Sequence, residues 1–161
     1  MALKRVVVTG LGALTPIGNN LNDFWTGLIE GKSGAAPITY FDTEKFKTKF
    51  ACELKNFDIS LHLDRKQQRK MDRFTQYGMV STEEAIKHSG LDLDKVDKLR
   101  VGVIWGSGIG GIETFQNQML DHAKGDGTPR FNPFFIPKMI ADIIPGYISI
   151  NYGFMLSLIH I

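Results

Sequence analysis

The 161-residue chain carries 19 Lys and Arg against 17 Asp and Glu, and a net charge of +2 does not by itself indicate nucleic-acid binding. A hydrophobic fraction of 43% is typical of a globular domain with its own core. Because the chain has a single cysteine, Cys52, and neither a secretory-signal pattern nor an apolar run of membrane-span length, we expect a cytoplasmic protein without disulfides or membrane contact.

The N-terminal third is predicted to form a strand, a glycine-rich loop and a helix. Residues 4–9 have the β-branched run of a buried strand, and Gly10 follows it. The next helix has apolar positions at Leu21, Phe24, Trp25 and Leu28. Gly31 and Gly34 are expected to end that helix. Residues 35–63 are predicted as short strands and loops. Their expected apolar anchors are Phe41, Phe46, Phe50 and Phe57.

The clearest predicted helix starts at Arg65 and ends at Gly90. Asp64 is a good N-cap, and Gln67 three residues later completes a capping box. One face of this helix carries Met71, Phe74, Gly78, Ser81 and Ala85. Because that face is rich in small residues, it predicts close packing against another element.

The C-terminal part is predicted to alternate strands and helices. Residues 100–105 form a second buried strand, residues 106–111 a glycine-rich turn, and residues 112–124 a helix. A short helix around 137–144, stopped by Pro145 and Gly146, precedes a strand at 147–154. This alternation predicts an α/β fold with a largely parallel or mixed sheet.

The turn GSGIGG at 106–111 matches the dinucleotide pattern GxGxxG between a predicted strand and a predicted helix. That pattern also requires a second strand ending in an acidic residue about 20 residues later. The corresponding segment, KGDGTPRFNPFF, has no strand character. Two interpretations stay open: a nucleotide site, or a tight turn that another backbone or an acyl chain approaches closely.

Two other glycine-rich segments fail their nucleotide patterns. VTGLGALTPIG near the N-terminus has Thr15 where the dinucleotide fingerprint needs its third glycine. GKSG at 31–34 resembles a phosphate loop, but the Walker A pattern requires glycine at the position of Thr26.

A cluster of basic residues opens the long predicted helix. Lys66, Arg69 and Lys70 share one face, and Arg65 and Arg73 flank them. Because positive charge near a helix N-terminus is unfavourable, this placement suggests an external acidic partner. The alternative is a solvated face that happens to be positive.

The residues alone give no complete catalytic set and no metal site. The histidines are His62, His88, His122 and His160. Their spacing matches no metal-binding motif. Cys52 lies in the strand-like stretch FACEL with no evident base nearby, so we interpret it as an inert thiol.

Six segments, taken in order, together resemble one family. They are RVVVTGLGALTPIG (5–18), FWTGLIEGKSG (24–34), RKMDRFTQYGMVSTEEAI (69–86), RVGVIWGSGIGG (100–111), NPFFIPKMIAD (132–142) and YISINYGF (147–154). The family is the β-ketoacyl-acyl-carrier-protein synthases, particularly the type II elongating enzymes of bacterial fatty-acid synthesis. The resemblance implies a thiolase-like layered αβαβα fold and a homodimer. It also implies that residues 1–155 are an incomplete N-terminal ketoacyl synthase domain, followed by an aberrant tail at 156–161.

The resemblance further implies an acyltransferase that takes an acyl group from acyl carrier protein onto a cysteine. A decarboxylating Claisen condensation with malonyl-acyl carrier protein follows, without metal or redox cofactor. In the family this cysteine comes after a glycine-proline segment that follows YGF, whereas here LSLIHI follows Met155. The catalytic cysteine, two histidines and lysine of the family are therefore expected beyond the chain end, and the chain alone is expected to be inactive.

The site periphery that the resemblance implies lies within this chain. Ile109 would border the acyl pocket, and Phe134 and Phe135 would lie at its dimer-facing side. Lys66, Arg69 and Lys70 would dock the acidic carrier protein. Two alternatives remain: a cysteine-less partner like the chain-length factors of the family, and a nucleotide-dependent oxidoreductase that uses GSGIGG.

Overall fold

A computed structural model describes residues 4–156, which contain six α-helices and one two-stranded sheet. The elements are α1 (Leu21–Ile29), β1 (Ala36–Pro37), β2 (Phe50–Ala51), α2 (Arg65–Lys70), α3 (Arg73–Ser89), α4 (Ile112–Lys124), α5 (Phe135–Met139) and α6 (Ile143–Tyr152). The chain divides into two compact units. The first comprises Met1–Asp58 with Ser81–Leu91, and the second Ile59–Val80 with Asp92–Ile161. Of the tail set apart in the sequence analysis, residues 157–161 lie outside the described residues.

In the first unit, the N-terminal loop packs against the C-terminal half of α3. A Cβ on Gly12 would overlap the carbonyl oxygen of Ser81, and a Cβ on Gly10 would lie 2.6 Å from the Cβ of Ser89. Glu84 of α3 accepts hydrogen bonds from the backbone N–H groups of Ala13 (2.8 Å) and Leu21 (2.7 Å). The close packing predicted from the small residues of this helix is thus confirmed.

Helix α1 follows the sequence prediction closely. The side chain of Asn20 caps it by accepting from the Asp23 N–H at 2.9 Å. After its last turn Gly31 adopts φ of 66°, a conformation that glycine takes without strain.

The buried strand predicted at residues 4–9 is wrong for the described structure. These residues belong to no strand, and Val6, Val7 and Val8 are 91%, 62% and 79% exposed. A β-branched run favours a strand, but a strand also needs a hydrogen-bonding neighbour, and the described residues provide none here.

The segment after α1 forms a short antiparallel pair in which Ala36 faces Ala51 and Pro37 faces Phe50. Phe41, Phe46 and Phe50 are more than half exposed, so their prediction as core anchors is wrong. Two-residue strands present too little surface to bury these rings. Phe41 and Phe46 instead contact each other edge to face, with centroids 5.4 Å apart.

The single helix predicted from Arg65 onward is two helices, α2 and α3. The predicted capping box of Asp64 and Gln67 is present and starts α2. Met71 leaves the helical conformation with φ of −116° and ψ of 141°. Asp72 then precedes α3, and its side chain accepts from the Phe74 N–H at 3.4 Å.

The strand predicted at residues 147–154 is wrong, because α6 occupies most of this segment. Ile144 and Ile148, one helical turn apart, are 1% and 2% exposed, so helical burial prevails over the alternating pattern. Pro145 does not stop α6, because it is the third helical residue and its missing N–H would have no intrahelical partner there. Gly153, with φ of 72°, ends the helix.

The strand predicted at residues 100–105 also fails to form. The Val101 carbonyl accepts from the Leu156 N–H at 3.2 Å, and the Lys98 carbonyl from the Met155 N–H at 2.9 Å. These two bonds do not make a strand in the described residues, and Ile104 is 78% exposed.

We predict that Gly12→Ala destabilises the chain by about 1–3 kcal/mol, because its new methyl group would overlap the Ser81 carbonyl oxygen. Gly146→Ala is the matched control. It lies inside α6 with open space around its Cβ position, so it should leave stability unchanged or raise it by about 1 kcal/mol. Urea unfolding measures both, and equal midpoints for the two variants would contradict this packing.

Candidate functional site

The basic face predicted from sequence lies on α2, in the second unit. Lys66 and Arg69 are exposed and make no ion pair within the described part of the chain. Because α2 has only six residues, Arg69 and Lys70 lie in its last turn, where positive charge is favourable. The helix-dipole cost inferred from sequence is therefore wrong for these two residues. The observation that favours an acidic partner is instead the absence of acidic neighbours paired with Lys66 and Arg69.

Lys70 connects this basic face to a predicted acyl-pocket residue. Its Nζ lies 5.6 Å from the centre of the Phe134 ring, within the range of a cation–π contact. The Lys70 carbonyl accepts a hydrogen bond from the Tyr147 hydroxyl at 3.3 Å. The structure thus brings together Lys70 and Phe134, which were predicted separately for carrier-protein docking and for the acyl pocket.

Asp72 is a positioning residue that the sequence analysis missed. Its carboxylate is buried and accepts a short hydrogen bond from the Thr114 hydroxyl of α4. A buried carboxylate needs such partners, so Asp72 ties the start of α3 to the first turn of α4. The signal available in the sequence was an aspartate at an N-cap position inside the predicted helix. The nearby pair of Arg73 and Glu113, at 3.6 Å, is about half exposed and contributes little.

The backbone at the end of α5 packs against the glycine-rich turn at residues 106–111. Gly110 has φ of 80°, and the Gly111 N–H donates to the Met139 carbonyl at 3.0 Å. A Cβ on Gly111 would overlap the Lys138 carbonyl oxygen. The N–H that a pyrophosphate would need at the start of α4 is therefore already bonded to protein. This geometry supports the tight-turn interpretation over the nucleotide one.

One of the two predicted aromatic positions, Phe135, belongs to a stack of three phenylalanines. Phe135 stacks with Phe131 and Phe115, with ring centres 5.6 and 6.3 Å apart. Phe134 is 36% exposed, and Ile109, on the glycine-rich turn, is 72% exposed. The roles of Ile109, Phe134 and Phe135 at an acyl pocket stay predictions.

Residues 4–156 contain no group of three or more His, Cys, Asp or Glu side chains arranged to hold a metal ion. None of the helices within that range is both long and apolar enough to cross a membrane. Cys52 follows β2 as an exposed free thiol.

Comparison with known families decides the class of the protein. Residues 3–156 match the family described as "Beta-ketoacyl synthase, N-terminal domain". The chain belongs to the β-ketoacyl synthase family. It is 46% identical over 153 residues to a 3-oxoacyl-[acyl-carrier-protein] synthase 2 of Staphylococcus aureus, and 44% identical to one of Synechocystis. Each alignment covers 93% of this chain but only 36% of the relative, so the chain spans about a third of their length.

Solved ketosynthase structures share the fold. A type II PKS acyl-carrier protein in complex with its ketosynthase contains a chain 29% identical, with a TM-score of 0.76 over 94% of this chain and 40% of that one. The ishigamide ketosynthase/chain length factor is 27% identical, with a TM-score of 0.84 over 96% of this chain and 38% of that one. These ketosynthase neighbours confirm the predicted α/β, thiolase-like fold class.

Tyr147 gives the second unit a predicted pH dependence. Burial raises the pKa of its hydroxyl above the usual value of 10.0, so the folded chain holds this proton more tightly than the unfolded chain. The resulting stabilisation is complete below that usual pKa and is lost as pH rises through the folded pKa. We expect Tyr147→Phe to lose less stability than wild type between about pH 8 and about pH 10.5, measured as urea midpoints. Parallel losses in the two proteins would contradict the assignment.

Proposed function

We propose that the protein containing this chain is a cytoplasmic 3-oxoacyl-acyl-carrier-protein synthase of type II. The observation that carries this proposal is the family match over residues 3–156, supported by 46% identity to a relative of that name. The enzyme would elongate acyl chains in fatty-acid synthesis.

In the proposed reaction an acyl group passes from the carrier-protein thioester to a cysteine thiolate. The malonyl thioester loses carbon dioxide, and the carbanion left behind attacks the acyl-cysteine thioester. A carbon–carbon bond forms and the cysteine leaves as thiolate. The residues of this chain would bind and position the reactants: the α2 face holds the carrier protein, and Ile109, Phe134 and Phe135 border the acyl chain.

Acyl carrier protein, carrying acyl or malonyl groups, is the proposed partner of the α2 face. Within residues 4–156, Lys66 and Arg69 present positive charge without acidic neighbours paired to them, and charge complementarity would steer an acidic partner to this surface. A related ketosynthase has been solved in complex with its acyl-carrier protein. Lys70 would link docking to the pocket, because it belongs to the α2 face and its ammonium lies over the Phe134 ring.

A homodimer is the proposed assembly of the whole protein. Ile112, Phe115 and Ile136 are 54%, 39% and 54% exposed on α4 and α5, and Phe134 lies between these helices in the sequence. Exposed apolar side chains of this kind are typical of a surface that a second subunit covers.

A second candidate is a cysteine-less chain-length-factor partner. Its support is the TM-score of 0.84 to the ishigamide ketosynthase/chain length factor. The coding sequence of the protein that contains this chain distinguishes the two: a cysteine shortly after a glycine-proline segment identifies a condensing enzyme, and its absence identifies the partner.

We predict that reversing the charge of Lys66, Arg69 and Lys70 to glutamate weakens carrier-protein binding by about 10- to 100-fold and lowers its salt dependence. Binding of fluorescent acyl carrier protein to the chain at several salt concentrations measures this. Lys45, Lys47 and Lys49, exposed in the first unit, provide a control with the same change of charge. Equal losses in both triple variants would remove the docking role, since general attraction would explain them.

We expect the protein that contains this chain to condense acyl groups with malonyl-acyl carrier protein, and the purified 161-residue chain to show no condensation. The reason is that Cys52, its one cysteine, has no evident base beside it in the sequence. Product formation by the isolated chain, followed by mass spectrometry of the carrier-bound acyl group, would overturn this expectation. Cys52→Ala in the longer protein should leave condensation unchanged.

A further inference from the structure

A polar cleft lies in the first unit, and the proposed function uses none of its lining residues. Its volume is about 360 Å³, within the roughly 300–1,000 Å³ typical of small-molecule sites. Its lining includes Lys32 and Ser33 of the GKSG segment together with Thr26, Lys55 and Asn56. This segment fails the Walker A spacing, yet the fold places its lysine and serine at a concave surface.

The segments that form and flank the cleft are tightly packed. Gly27 is buried, and a Cβ there would lie 3.0 Å from the Ile17 carbonyl oxygen. A Cβ on Gly34 would lie 2.8 Å from the Cβ of Pro16. Thr15 and Gly18 exchange two backbone hydrogen bonds of 2.9 and 3.2 Å, which close the turn between them. The cleft is therefore a formed feature of this unit rather than a gap between loose loops.

One rim of the cleft is held in an uncommon conformation. Asn56 has φ of 52°, the left-handed region that non-glycine residues rarely adopt. The Asn19 side-chain amide donates to the carbonyls of Asn56 (3.2 Å) and Lys55 (2.9 Å) and so stabilises this turn. Such strain is retained where the surroundings fix it, often at binding sites.

The charges on the lining favour an anion. Lys32 makes no ion pair within the described part of the chain, and the Lys55 ammonium donates only to the Gly34 carbonyl, at 2.9 Å. Asp23 is the one acidic residue on the lining, and its carboxylate already accepts from the Asn20 amide at 2.7 Å. The lining therefore carries two ammonium groups and only one carboxylate, which is already hydrogen-bonded. The Thr26 and Ser33 hydroxyls can donate hydrogen bonds as well.

We propose that this cleft binds a small phosphate-type oxyanion, free or as a monoester, through Lys32 and Lys55. The Thr26 and Ser33 hydroxyls complete the donor set. Every lining residue lies within Met1–Asp58 of the first unit, whereas the residues proposed to bind the carrier protein and the acyl chain belong to the second unit.

The test is an amide NMR titration of the 161-residue chain with inorganic phosphate and with glycerol phosphate, against chloride at equal ionic strength. We expect shifts confined to the cleft-lining residues. Lys32→Gln should weaken binding about fivefold or more. Lys45→Gln, which removes an exposed charge outside the cleft in the same unit, should leave binding unchanged. Unperturbed amide signals elsewhere in Lys32→Gln show that the variant is folded.

The titrations distinguish the two ligands from each other and specific binding from general electrostatic attraction. Tighter binding of glycerol phosphate than of inorganic phosphate assigns a monoester ligand, and the reverse order assigns the free ion; both support the site. Equal weakening by Lys32→Gln and Lys45→Gln overturns the proposal, because attraction to the general positive charge then explains the binding. Absence of shifts at the cleft residues overturns it as well.

Discussion

The small residues along α3 are the constraint on which the packing of this chain depends. In the first unit, Gly12 lets the N-terminal loop come so close to Ser81 that a methyl group would collide with its carbonyl. In the second unit, a Cβ on Gly78 would lie 2.9 Å from Ile144 of α6. Side chains of ordinary size at these positions would push the neighbouring backbones apart, and the hydrogen bonds of Glu84 to the loop would lengthen with them.

The break between α2 and α3 determines which helix end the basic residues occupy. Met71 and Asp72 separate α2 from α3, and the hydrogen bond from Thr114 to Asp72 fixes the start of α3. The short helix α2 therefore ends before α3 begins. As a result Arg69 and Lys70 stand in the last turn of a helix, where the backbone dipole stabilises their charge instead of opposing it. The basic face is therefore compatible with a stable helix, and its lack of acidic partners in the described residues is what makes it suitable for an external one.

Sequence reasoning succeeded where the determining interactions are local. The Asp64–Gln67 capping box, the end of α1 near Gly31 and the bounds of α4 depend on residues a few positions apart, and the structure contains them all. It failed where contacts with residues distant in the sequence determine the secondary structure. Residues 4–9 have the composition of a strand, but composition does not reveal whether a neighbouring strand is present. At α6, Ile144 and Ile148 fit a helix as well as their alternating neighbours fit a strand, and only burial decides between them.

The candidate site shows the same division between local and distant information. The family resemblance selected Lys70 and Phe134 independently, 64 positions apart in the sequence, and no local pattern predicts that they meet. Their cation–π contact depends on the path of the chain through α4 and α5. That path depends on Gly111, because only a residue without a side chain lets the α5 backbone pack so closely beside it. The packing of α5 backbone against Gly111, which leaves no place for a pyrophosphate at the glycine-rich turn, thus also positions the aromatic segment that contacts Lys70. For this reason Gly110 and Gly111 fit a packing role better than a nucleotide-binding one, although the spacing of GSGIGG alone is compatible with both.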